Sequence, residues 1–175
     1  MDSSDSSNKG IRCFLALDIS PAVRERVADL IERLKKGIQF TGAHPAWVRP
    51  ENIHLTLHFL GDVEPGRIEA IKPDLDAVAS RIPAPELKVE KLGCFPNDRS
   101  PKVLWMGIPK PDRSLFDLHE RLALIVHQLG KRMDKRAYHP HLTLARIKSL
   151  RGVRGMRAWW SRIDGSPRDP AGRRN

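Results

Sequence analysis

The tetrad His54-Leu55-Thr56-Leu57 is written a second time as His141-Leu142-Thr143-Leu144, and no other feature restricts the fold of this chain as much. A polar residue alternating with Leu is the period-two signature of a half-buried strand, whose successive side chains leave on opposite faces. His54 and Thr56 therefore share one face, Leu55 and Leu57 share the other, and the second copy repeats the arrangement. Threonine occurs only at positions 41, 56 and 143, so two of the three stand two residues after a histidine. Each copy offers an imidazole and a hydroxyl together.

The flanking segments repeat in the same order. Ile11 to Leu17 reads as a buried strand. Ser20 can cap a helix with Pro21 at its first position, and Val23, Val27, Leu30, Ile31 and Leu34 keep helical spacing until Gly37. A loop from Thr41 to Glu51 leads to the first tetrad strand, Asn52 to Leu60. Ile68, Ile71, Leu75, Val78 and Ile82 then predict a second helix, kinked at Pro73 or beginning there. Strands are expected at Glu86 to Phe95 and Val103 to Ile108. A helix capped by Asp112 follows, with Leu115, Leu118, Leu122, Ile125 and Leu129 in its stripe and Gly130 at its end. A loop through Tyr138-His139-Pro140 delivers the second tetrad. Strand, helix, Pro-containing loop and His-x-Thr strand thus occur twice, the mark of an internal duplication. The expected class is α+β: a bilobal, pseudo-two-fold fold with antiparallel sheets lining a central cleft and helices packed outside. Residues 1–10 are expected to be disordered, 11–149 to form the single bilobal domain, and 150–175 to be a basic, atypical tail.

The formal charge of +10 favours a polyanionic partner. It is uneven: from Arg146 onward nine Lys or Arg face Asp164 and Asp169, which supplies +7 of the total. Cys13 and Cys94 lie in apolar runs and are expected to be buried and reduced. The polar, Ser-rich start is unlike a signal peptide, and no stretch approaches the length of a membrane span, so a cytoplasmic protein with no membrane partner is expected. No obligate protein partner is evident, and a monomer is the expectation.

Two imidazoles converging on one small space have a natural chemistry. Near neutral pH one can be an uncharged base and the other a charged acid, as phosphodiester cleavage requires. Threonine hydroxyls on the same faces can donate hydrogen bonds to phosphate oxygens. The residues do not say which histidine is which. This scheme needs no metal and no cofactor, and a zinc site at His54 and His58 would need a helix, which the alternation contradicts. His58 shares the face of His54 and can line the cleft wall, whereas His139 is expected to shape a turn. His44, His119 and His127 have no catalytic company in the pattern. Arg146 lies an odd number of residues from His141 and by alternation points away from it. Arg49 could contact RNA; Phe14, Trp47 and Tyr138 are candidates for stacking a base.

The segments WVRPENIHLTLHFLGDV and YHPHLTLARI resemble the two signatures of the 2H phosphoesterase superfamily, in particular the bacterial and archaeal RNA 2′,3′-cyclic phosphodiesterases, or 2′-5′ RNA ligase family. IRCFLALDIS and GCFPNDRSPKVLWMGI resemble it too, so the likeness covers roughly positions 11–148. The resemblance implies metal-independent hydrolysis of RNA 2′,3′-cyclic phosphate ends, or of a small cyclic nucleotide, to a 2′-phosphate. It assigns His54 as proton donor, His141 as proton acceptor, and Thr56 and Thr143 as phosphate-binding residues. Run backwards, the same chemistry would join RNA ends through a 2′-5′ linkage. The alternatives are a binding module for RNA or nucleotides without turnover, and a 2H enzyme for another cyclic-phosphate or 2′-5′-linked substrate. After Ser149 the family pattern stops, which suggests either a terminus lost by truncation or frameshift, or a basic RNA-binding tail.

Overall fold

A computed structural model of the chain describes residues 10–40, 45–97, 100–131, 137–148 and 153–154. Thr41, His44 and nearly all of the expected disordered start and basic tail lie outside the described residues. The elements run β1 (Ile11–Asp18), α1 (Pro21–Gly37), β2 (Gln39–Phe40), β3 (Pro45–Trp47), a 3-10 turn (Pro50–Asn52), β4 (His54–Val63), α2 (Pro65–Ala79), β5 (Glu90–Phe95), β6 (Val103–Gly107), α3 (Arg113–Gln128), β7 (His141–Ile147) and β8 (Val153–Arg154). The α+β class with antiparallel pairing is as expected. No described helix is long and apolar enough to cross a membrane.

The chain forms two compact units, and neither coincides with a sequence half. The first takes the chain up to Leu17, Thr56–Leu87 and Lys110–Tyr138; the second takes Asp18–Leu55, Lys88–Pro109 and the chain from His139 on. In the first, β1 neighbours β4, and helices α2 and α3 pack on each other. Its core is Leu57, Leu60 and Val63 of β4, Ile71 of α2, and Leu115, Leu118, Leu122, Ile125, Val126 and Leu129 on or just after α3. Asp112 caps α3, its Oδ1 accepting from the Ser114 amide at 3.1 Å. Gly130 ends it with φ +70°, a left-handed conformation that costs glycine nothing. Pro73 neither starts nor stops α2. It is exposed, so the Glu69 carbonyl that loses its helical partner can bond to water instead. β1 is less buried than expected: Phe14 is 45 % exposed, and Cys13 is only half-buried.

The second unit is built on β7, the strand of the second tetrad. On one side β6 pairs antiparallel along its length and β5 pairs with β6. On the other side two segments follow one another along β7: β3, with Trp47 opposite Ala145, and the start of β4, with Leu55 opposite Leu142. The composition of 41–51 predicts a loop. Part of it is β3 instead, and the Val48 amide continues the pairing by donating to the Leu144 carbonyl at 2.9 Å. Pro45 is tolerated because it begins the strand. Helix α1 packs on the 3-10 turn, capped by Ser20, whose Oγ accepts from the Val23 amide at 3.4 Å. The predicted stripe Val27, Leu30, Ile31 and Leu34 is buried, with Ile53, Leu55, Leu104, Leu142, Leu144 and Ile147 also in this core. Burying each such aliphatic side chain contributes about 1.5–3 kcal/mol. In the atypical tail, Val153 and Arg154 pair with Phe40 and Gln39.

Candidate active site

The pair Leu55–Leu142 is the hinge of the site. Both leucines are fully buried, so the residues on either side of them turn to the opposite, open face. Continuing the antiparallel register sets His54 opposite Thr143, with His141 diagonal to His54. Diagonal neighbours of this kind lie about 7–8 Å apart at Cα, within reach of large side chains. The fold thus brings His54, His141 and Thr143 onto one face of one ladder. Thr56, the next residue on that face of β4, belongs to the first unit.

The two imidazoles are held in the same way. His54 Nδ1–H donates to the Asn52 carbonyl at 2.8 Å, and His141 Nδ1–H donates to the His139 carbonyl at 2.6 Å. A carbonyl has no proton to give, so each bond fixes the neutral tautomer with the proton on Nδ1 and the lone pair on Nε2. Each ring is anchored by the backbone two residues earlier, the 3-10 turn for His54 and the His-Pro segment for His141. The turn-shaping role expected of His139 is therefore more specific: its carbonyl orients the second imidazole.

Around His141 the sheet has been cleared for aromatic rings. Gly107 stands opposite His141 on β6, Trp105 opposite Thr143, and Gly93 of β5 opposite Trp105. The indole lies over both glycines: a Cβ on Gly93 would sit 2.2 Å from it, and one on Gly107 2.9 Å. Phe95 meets the His141 ring edge-on at 5.1 Å between centroids, and Trp105 lies 6.1 Å away. Burial lowers the His141 pKa below the usual histidine value. The Nδ1 bond to the His139 carbonyl opposes that, and the charges of His139 and Arg146 add to it.

Arg146 corrects the alternation argument. Leu104 pairs with Ala145 but Trp105 with Thr143, so β7 carries one extra residue, a bulge at Leu144. Leu144 and Ala145 are consequently both fully buried, and the open face resumes at Arg146 and Lys148. The extra residue changes the parity and returns Arg146 to the side of His141, where its charge is felt by the ring. Trp47, opposite the buried Ala145, is on the leucine side of the ladder and is removed from the base-stacking candidates.

Residues 17–105 match the family model described as LigT like Phosphoesterase. The chain is 33 % identical over 138 residues to the RNA 2′,3′-cyclic phosphodiesterase of Thermotoga maritima, covering 79 % of this chain and 71 % of that one. It is 33 % identical over 141 residues to the protein of the same name from Methanothermobacter thermautotrophicus, covering 81 % and 73 %. The chain belongs to the LigT-like phosphoesterase family. Among solved structures it resembles E. coli LigT complexed with 3′-AMP, with a TM-score of 0.60 and 31 % identity over 79 % of this chain and 73 % of that one.

This LigT-like chain carries a second group of rings in its first unit that the sequence did not reveal. His58, two residues beyond Thr56 on the same face of β4, stacks on His119 of α3 with centroids 4.1 Å apart and planes at 21°. His119 stacks in turn on Tyr138 at 4.0 Å and 15°, and Phe116 meets Tyr138 edge-on with centroids 6.5 Å apart and planes at 89°. His58 Nε2–H donates to the His119 carbonyl at 2.8 Å, and the Tyr138 hydroxyl donates to the Thr56 carbonyl at 3.0 Å. Burial pushes the Tyr138 pKa up, and burial together with the charge of His58 draws His119 from 6.5 down to about 4. An unfolded His119 takes up its proton near its ordinary value while the folded one resists until about pH 4, so acid favours unfolding across that window. The stability His119 contributes is complete above about pH 6.5 and falls as the pH drops to about 4. His119→Phe keeps a ring in the column without a titrating group, and its melting temperature is expected to decline less than wild type over that range.

Arg49 is exposed at the start of the 3-10 turn, and His127 is exposed in the last turn of α3. Phe14 lies 6.4 Å from the exposed Phe59 in the first unit.

Proposed function

We propose that this chain hydrolyses 2′,3′-cyclic phosphate ends of RNA to 2′-phosphomonoesters, with His141 as proton acceptor and His54 as proton donor. The observation that carries this reading is the matched pair of Nδ1–carbonyl bonds, which leaves Nε2 as the working nitrogen of each ring. His141, surrounded by Phe95 and Trp105 and drawn toward its neutral form, suits the base. Its Nε2 takes a proton from water as the water oxygen attacks phosphorus. The bond from phosphorus to the ribose 3′-oxygen breaks, and protonated His54 gives its Nε2 proton to that oxygen. The products are a 2′-phosphate and a 3′-hydroxyl, and exchange of one proton with solvent at each ring restores the starting state.

Thr56 and Thr143 are assigned to donate hydroxyl hydrogen bonds to the non-bridging oxygens, where charge increases in the transition state. Arg146, brought to the His141 side by the bulge, adds a fixed positive charge for the same dianionic centre. The names of the curated relatives support the reaction class, and the 3′-AMP complex of E. coli LigT supports a nucleotide ligand. Two imidazoles supply both proton transfers, so turnover of an oligonucleotide ending in a 2′,3′-cyclic phosphate is expected to persist in EDTA. Chromatography of the products should show the 2′-phosphate. Tight binding of that oligonucleotide with no product would replace this reading with a binding module.

A further inference from the structure

In the column of His58, His119 and Tyr138, His119 is the middle ring, stacked on the other two at 4.1 and 4.0 Å. Phe116 meets Tyr138 edge-on, while among the described residues no ring stacks on the face of His58 turned away from His119. We propose that this face of His58 is a stacking subsite for a nucleobase of the substrate. The inference rests on the cyclic-phosphate reading for the identity of the ligand, and on the first unit alone for its geometry.

Three observations support it. His58 is held along one edge by its bond to the His119 carbonyl and on one face by the His119 ring, so its plane is fixed before any ligand arrives. The side chain is half-exposed on the same face of β4 as Thr56, while Leu55 and Leu57 between and beside them are buried. Residues two apart on a strand are separated by about 6.6 Å, roughly the span of a ribose, so a phosphate at Thr56 puts its base within reach of His58. The Tyr138 hydroxyl ties the other end of the column to the Thr56 carbonyl, so the ring stack is hydrogen-bonded to the backbone of the residue assigned to the phosphate. Stacking of this kind tolerates any base, because every base presents a π face.

The test compares adenosine 2′,3′-cyclic phosphate with the 2′,3′-cyclic phosphate of methyl riboside, which has no base. Wild type should prefer the nucleoside through KM, and His58→Ala should reduce that preference in kcat/KM about tenfold. His58→Leu fills the space against His119 without a π face and should behave like Ala, whereas His58→Phe should restore the preference. Equal losses on both substrates, or Leu restoring as well as Phe, would overturn the subsite. If wild type turns over neither compound, the cyclic-phosphate reading fails separately. Calorimetry with 2′-AMP and methyl riboside 2-phosphate then decides the subsite: a preference for 2′-AMP lost in His58→Leu supports it, and no preference in wild type refutes it.

Discussion

Replacing His141 by Ala is expected to lower kcat on a 2′,3′-cyclic phosphate about 10²–10⁴-fold, with a loss in the same range for His54→Ala. The shapes of the pH profiles should separate the two. A base must be neutral, so the acid limb of the wild-type profile belongs to His141, and that limb should vanish in His141→Ala. An acid must carry its proton, so His54→Ala removes the donor and should keep the acid limb that His141→Ala loses. Because burial lowers the His141 pKa, the acid limb should lie below the ordinary histidine range. The double variant should be little worse than either single one, since the two groups act in one concerted step. Initial rates across the pH range check all of this. A His141→Ala enzyme that keeps its acid limb would reverse or remove the assignment.

The repeated tetrad, the stripe of α1 and the cap of α3 could be read from the sequence because each is local: alternation, helical spacing and a capping residue act within a few positions. The features missed depend on pairing. Alternation alone puts Arg146 on the wrong face because one extra residue at Leu144 reverses parity, and only the register against β6 exposes that residue. The ring column joins residues 61 positions apart at His58 and His119, and no periodicity can signal such a meeting. Pro45 and Pro50 in the segment 41–51 predict a loop, although the backbone of β3 within it pairs with β7. The order of elements repeats along the sequence. The way the chain divides does not follow that repeat, since β1 and α1 are adjacent in sequence yet fall in different compact units.

Gly93 is the position where adding a single carbon should disturb the site most. An alanine Cβ there would lie 2.2 Å from two carbons of the Trp105 ring, far inside van der Waals contact, and Gly107 already limits the other edge of the indole. The ring therefore has to leave its place over β5. Overpacking of this kind costs about 1–3 kcal/mol, so Gly93→Ala should melt measurably below wild type. The effect on chemistry follows from what the indole does for His141. Losing one aromatic wall admits water to the imidazole, weakens the desolvation that leads the causes of its lowered pKa, and raises that pKa toward the ordinary value. The acid limb of the rate profile should then move to higher pH, leaving less neutral base at any acidic pH. Trp105→Ala removes the ring with no clash and should move the limb in the same direction. Trp105→Phe should give an intermediate shift. This pair keeps the test sound even where Gly93→Ala folds poorly. An acid limb unmoved in Trp105→Ala would mean that the indole fills space beside His141 without governing its proton.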